Sequence, residues 1–196
     1  MKKIILASKS PRRHEILTLA GFEHEIIVSD ADESVPDTLT PAEAVKAISL
    51  KKASAVLCEL DASLYGDGFV IVAADTVVDV DGEIFGKPKN VRDAERMLRA
   101  LSGRRHFVHT GVTVTDGVKT LSKVETTAVV MREISEDEIK GYAASGEPLD
   151  KAGAYAVQGK AGAFVKALEG DYFNVVGLPL CVTLGMLNEF GINLSF

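Results

Sequence analysis

Two adjacent arginines, Arg12 and Arg13, stand in the stretch LASKSPRRHEIL at the point where a helix is expected to begin. A helix N-terminus carries about half a positive charge and favours acidic residues in its first turn. A doubled cation there calls for an opposing charge. The unpaired N–H groups of the first turn and two guanidinium forks would converge on an anion, phosphate above all. The plain alternative is that both side chains lie in water, as exposed charges ordinarily do. A second polar intrusion occurs in VIVAADTVVDV, where Asp75 and Thr76 interrupt an apolar run. A lone carboxylate in a buried strand is costly. It calls for a metal ion, a lysine or an activated water, and GKPK downstream supplies Lys87 and Lys89. Local hydrogen bonding at a backbone bulge is the alternative.

The elements that must position these residues follow from periodicity and punctuation. KKIILA is a short apolar run suited to a buried strand. Ser10 then offers a capping hydroxyl, Pro11 fits the first helical position, and Gly21 closes the helix. The arginines therefore sit on a strand-loop-helix corner, at the second and third helical positions. A second helix runs from about Pro41, with Thr40 and Glu43 in capping-box spacing and Val45, Ile48 and Ala53 on its apolar face. The Asp75 strand leads into a hairpin at Asp81-Gly82. A third helix is capped by Asn90 and stopped by Gly103, and two alternating strands meet at Asp116-Gly117. Ser135 and Glu138 open a further helix, and a last one runs from near Pro179 to Gly191. Between these two, EPLDKAGAYAVQGKAGAFVKALEGDYFNVVG mixes helix, strand and loop signals, as loops shaped for a ligand do. No linker or repeat divides the chain.

Composition bounds the function. The chain has 196 residues, 46% of them hydrophobic, and a formal net charge of −6. This supports a sizeable core and disfavours general binding to nucleic acid or to an anionic membrane. Two cysteines, Cys58 and Cys181, cannot build a disulfide framework; they are expected to be buried and inert, which suits a cytoplasmic protein. The apolar run of MKKIILAS is too short for a signal peptide, and no segment is long enough to span a bilayer. Several motifs fail on inspection. GAYAVQGKA has its glycines one residue too far apart for a phosphate-binding P-loop, and Ala161 replaces the magnesium-binding hydroxyl. The four histidines have no metal-ligand spacing with the cysteines, and His106 and His109 fall on opposite faces of a strand.

The blocks LASKSPRRHEIL, AADTVV, GKPKNVRDAERMLRALSG, HTGV, EPLDKAGAYAVQG and GDYFNVVGLPL occur in the order and spacing of the Maf family. The chain resembles these nucleoside triphosphate pyrophosphatases, once described as septum-formation inhibitors, over nearly its whole length. The resemblance implies an α/β fold of the inosine triphosphate pyrophosphatase type: one domain spanning residues 1–196, with an elongated mixed sheet, flanking helices and two lobes around a cleft. It implies a divalent cation, magnesium or manganese, and a homodimer. It places the proton acceptor on Asp75, substrate-binding roles on Ser8, Ser10, Arg12 and Arg13, and catalytic lysines on Lys52 and Lys87. Glu33, in DADES, matches an acidic position that would join Asp75 at the metal. Arg12, Thr76 and Gln158 occupy the positions that tune the base pocket, in the combination of the branch acting on dTTP and UTP. The implied reaction is attack of water on the α-phosphorus, giving a nucleoside monophosphate and pyrophosphate. The older description implies a different role, in which the protein blocks septum formation by binding a division component.

Overall fold

The computed structural model describes residues 2–28, 30–66 and 68–194. A seven-stranded mixed sheet forms its centre, in the order β2-β1-β3-β5-β6-β7 with β4 as a further partner of β3. The strands are β1 (Lys3–Leu6), β2 (His24–Ile26), β3 (Phe69–Val80), β4 (Glu83–Phe85), β5 (Arg105–Thr115), β6 (Thr120–Met131) and β7 (Val165–Glu169). β1 is parallel to β2 and β3, and every other pair is antiparallel. The helices are α1 (Pro11–Leu19), α2 (Pro41–Glu59), α3 (Val91–Leu101), α4 (Glu136–Ala144), α5 (Tyr172–Val176) and α6 (Leu180–Asn188).

Local chemistry sets most boundaries. Thr40 with Glu43 and Ser135 with Glu138 form complete capping boxes at α2 and α4, and the Asn90 side chain caps α3. The Asp81-Gly82 turn has positive φ at both residues, 55° and 88°, the conformation that matches the twist of a two-residue hairpin. The stretch from 147 to 177 that mixed its signals resolves into three short 3₁₀ turns, β7 and α5. The cysteines depart from expectation: both are exposed. Cys58 lies two residues beyond Val56, which α2 buries, and so falls on the far side of that helix.

The sheet is packed on both faces. Ile5, Ile71 and Ala73 meet Ala53 and Val56 of α2, while Leu6, Val70, Val72 and Ala74 meet Ile16 and Leu17 of α1 and Met186 and Leu187 of α6. A third cluster gathers the far end of β3, at Val78 and Val80, with Met97 and Leu98 of α3 and Ile139 of α4. β3 therefore threads from the first two cores into the third.

Two features of this sheet position the site. β1 pairs with β3 only as far as Val72, and β4 takes up the same edge only from Val78, whereas β5 accompanies the other edge from Ile71 to Asp79. Residues 73–77 of β3 thus border a gap in the sheet. Opposite Asp75 in the β5 register stands Gly111. A Cβ added there would lie 2.3 Å from the Val45 carbonyl oxygen and 2.7 Å from the Lys46 nitrogen, so α2 sits directly on the bare backbone. Lys52 is two turns beyond Val45 on the same helix face, and this close approach carries it over Asp75.

Candidate active site

The gap opens into a cleft of about 380 Å³. Asp75 and Thr76 are successive strand residues and point to opposite faces of the sheet, yet both line the cleft because no strand separates the two faces at that place. Ser8, Ser10, Arg12, Arg13, Glu33, Lys52, Lys87 and Gln158 line it as well, so every site residue that the family resemblance implied reaches one space. Lys89 is absent from its walls.

On the α2 side, Lys52 Nζ donates to Asp75 Oδ1 at 2.7 Å and lies 3.2 Å from Glu33 Oε1. The partner demanded by the strand carboxylate is therefore a lysine, but neither of the two that follow it closely in sequence. The Asp75 and Lys52 side chains are 14% and 17% exposed and Glu33 is 60% exposed, so the cluster runs from the sheet out to solvent. Lys87, on the segment after β4, is exposed in the cleft.

On the α1 side the two arginines diverge. Arg13 is buried: Nε donates to the Gly177 carbonyl at 2.8 Å, one terminal nitrogen to Ser8 Oγ at 3.0 Å, and the other to Thr76 Oγ1 at 3.1 Å. Burial lowers the Arg13 pKa, and the negative charge of Asp75 opposes that shift. Thr76 continues the chain to Thr110 Oγ1 at 3.0 Å, and Thr110 donates to the carbonyl of the fully buried Asn174 in α5. Arg13 is thus a strut tying the Ser8 loop, β3 and the end of α5 together. Arg12 instead crosses the cleft to Asp150 at 3.2 Å, and Asp150 also holds Lys151. Burial works against the Asp150 carboxylate, but the bonds from Lys151 and Arg12 outweigh it and hold its pKa below the ordinary value. Ser10 is the N-cap residue of α1 by position, yet its hydroxyl makes no cap bond; Ser8 Oγ accepts the Ser10 N–H at 3.2 Å. The first turn of α1 therefore keeps its N–H groups uncapped by any side chain, which favours an anion there.

Asp150 and Lys151 were not singled out from the sequence. Their signal was a charged pair inside the stretch PLDKAGAY, a pattern that reads equally well as a solvated turn. With them the cleft walls carry the cations Lys9, Arg12, Arg13, Lys52, Lys87 and Lys151 against the carboxylates Asp30, Glu33, Asp75 and Asp150, a surplus of two positive charges. The chain as a whole carries −6. That contrast concentrates attraction for a polyanion at one place. Glu33 and Asp75 already converge on one cationic atom, and two hard carboxylate oxygens beside a substrate's phosphates form the donor set that magnesium or manganese takes. Among the described residues no group of three or more His, Cys, Asp and Glu gathers as a metal site. Any metal there must complete its shell with water and substrate.

A mixed sheet flanked by helices, with a cleft at a gap between its strands, defines a mixed α/β protein. A solved structure, the Ham1 protein of Staphylococcus aureus, shares this fold at a TM-score of 0.55 and 16% identity, covering 96% of this chain and 100% of that one. The family model described as Maf-like protein matches residues 3–190. A protein of Bacillus thuringiensis subsp. konkukian named dTTP/UTP pyrophosphatase is 44% identical over 195 residues, covering 100% of this chain and 99% of its own length. A Bacillus cereus protein (strain AH187) of the same name matches at the same identity and coverage. The chain belongs to the Maf family.

Proposed function

We propose that the protein hydrolyses dTTP and UTP to the nucleoside monophosphate and pyrophosphate. The observation that carries this reading is the division of the cleft: a carboxylate cluster on the α2 wall faces an uncapped helix start and Arg12 on the α1 wall. Relatives 44% identical over their full length bear the corresponding name. In this reading the triphosphate lies along the cleft with its charges on Arg12, Lys52, Lys87 and the first N–H groups of α1. Arg13 keeps Ser8 and Thr76 in place without turning outward. Glu33 and Asp75 would hold a divalent cation, magnesium or manganese, which would neutralise phosphate charge as a Lewis acid. Asp75 takes the proton of a water whose oxygen forms the new bond to the α-phosphorus. The bond from that phosphorus to the pyrophosphate oxygen breaks, and the lysines and Arg12 stabilise the charge on the leaving group. Thr76, Gln158 and Arg12 select the base. Gln158 is exposed on the cleft wall, where its amide can meet the carbonyl and N3–H of uracil or thymine.

The chain works as one domain in this reading, with the cores at the two ends of β3 as its lobes. We place the enzyme in the cytoplasm, with a house-cleaning role that extends to modified pyrimidine nucleotides, and as a homodimer. The test is a screen of common and modified triphosphates with magnesium or manganese that separates phosphate from pyrophosphate release. Equal amounts of monophosphate and pyrophosphate are expected from dTTP and UTP. Direct release of phosphate with a diphosphate would defeat the mechanism.

A further inference from the structure

Lys52 stands between two carboxylates of the cleft, a place that favours a cation, and it is itself a cation. Its Nζ bridges Asp75 Oδ1 at 2.7 Å and Glu33 Oε1 at 3.2 Å. Asp75 is fixed in the middle of β3, Lys52 is fixed on α2 by the contact at Gly111, and Glu33 comes from the irregular segment before α2. An ammonium and a divalent ion cannot both stand between the same two carboxylates. At a separation of a few ångströms their repulsion is large even in a partly solvated site.

We propose that Lys52 is an exchangeable internal cation: it holds Asp75 and Glu33 together in the nucleotide-free protein, keeps the divalent ion out, and yields its place when a triphosphate arrives to receive its ammonium. The proposal rests on the reading that Asp75 and Glu33 are the metal pair, and adds an order of events to it. The side chain is suited to the exchange. Lysine carries a compact charge on four methylenes, so a rotamer change moves the charge by several ångströms without disturbing α2. The incoming phosphates supply both a new partner for Lys52 and the further oxygens that the divalent ion needs. Without them, a metal would have to expel the ammonium into a cleft that offers it little compensation, because Asp150 is already shared by Arg12 and Lys151.

The experiment measures Mn²⁺ binding by electron paramagnetic resonance on the full chain, with no turnover involved. Wild type is expected to bind Mn²⁺ weakly without nucleotide and at least about tenfold more tightly with a non-hydrolysable α,β-methylene triphosphate. Lys52→Met, and Lys52→Gln as a second variant that keeps a polar contact to Asp75, should bind Mn²⁺ at least about tenfold more tightly than wild type without any nucleotide. Asp75→Asn in the Lys52→Met background should remove that gain. A smaller difference between the lysine variants and wild type overturns the exchange and leaves the metal pair standing. Failure of every form to bind Mn²⁺ even with the nucleotide analogue overturns the metal pair itself, and the exchange with it.

Discussion

Arg13 brings a full charge into the interior and gives all three guanidinium positions to protein oxygens, whereas its neighbour Arg12 pairs with Asp150 at the cleft surface. Truncating the two should have opposite signatures. Arg13→Ala leaves the Gly177 carbonyl, Ser8 and Thr76 short of a charged donor and opens a cavity, and is expected to cost roughly 3 kcal/mol or more in urea unfolding. Arg12→Ala removes a part-exposed ion pair worth no more than about 1 kcal/mol, so the unfolding midpoint should hardly move while KM for UTP rises. Equal stability losses would show that Arg13 is no strut. At Asp75, conversion to Asn removes the basicity and half of the attraction for Lys52, but Glu33 remains as a partner for the lysine. The variant should stay folded, with turnover lower by about a hundredfold or more in steady-state assays. Near-normal turnover would make Asp75 a structural residue. Gln158→Glu should lower UTP turnover by more than about tenfold, through the donor it loses to the base. Because the Gln158 side chain is exposed, the variant's melting temperature should not change. At this scale the sequence reading reached Asp75 and the arginine corner because each broke a local rule, a carboxylate in an apolar run and a cation at a helix start. Lys52 was reached through the family resemblance alone, since a lysine on a mixed helix obeys every local rule. Only the docking of that helix shows where its ammonium lies.

The docking depends on one missing side chain. Gly111 faces Asp75 across the β3–β5 ladder, and the backbone of α2 fills the space a Cβ would need. Gly111→Ala must push α2 off the sheet, at about 1 to 3 kcal/mol for an overpacked core, and it moves Lys52 away from Asp75 as it does so. Urea unfolding and turnover are both expected to fall. Gly141→Ala provides the contrast: it sits in α4 with open space around its Cβ position and should gain about 0.5 to 1 kcal/mol with turnover unchanged. A harmless Gly111→Ala would mean that α2 is free to shift. The starts of α2 and α4 were legible in the sequence, because capping boxes are complete within four positions, whereas the short α5 was not. β2 and β7 were not, since strands of three and five residues are defined by their partners β1 and β6 and not by any pattern of their own. The three 3₁₀ turns between α4 and β7 likewise owe their course to packing, as where Gly153 at φ 68° leaves no room for a side chain against Val78.

For the whole molecule, acid stability should be governed first by a histidine that the reaction does not use. His106, on β5, is buried against Tyr155, whose hydroxyl lies 2.9 Å from Nε2, and burial, with a smaller contribution from the charge of Arg104, pulls its pKa from 6.5 down to about 4. Between those values the unfolded chain accepts a proton that the folded chain refuses. Stability is therefore expected to drop as pH falls from 6.5 towards 4, by roughly 3 kcal/mol in all, and this contribution stops changing below 4. Urea midpoints at pH 7, 6 and 5 should show the slope in wild type and lose most of it in His106→Gln; an unchanged slope would place its source elsewhere. The gap in the sheet has a consequence of another kind, visible to solvent deuterium. The Ala7 amide bonds to the Val72 carbonyl, so by alternation the Thr76 amide points into the gap, while those of Asp75 and Val77 point to β5. Three successive amides in the middle of one buried strand should then exchange at sharply different rates, Thr76 fast between two slow neighbours. A nucleotide lying in the cleft would slow the one that faces it, making a single backbone proton a reporter of occupancy.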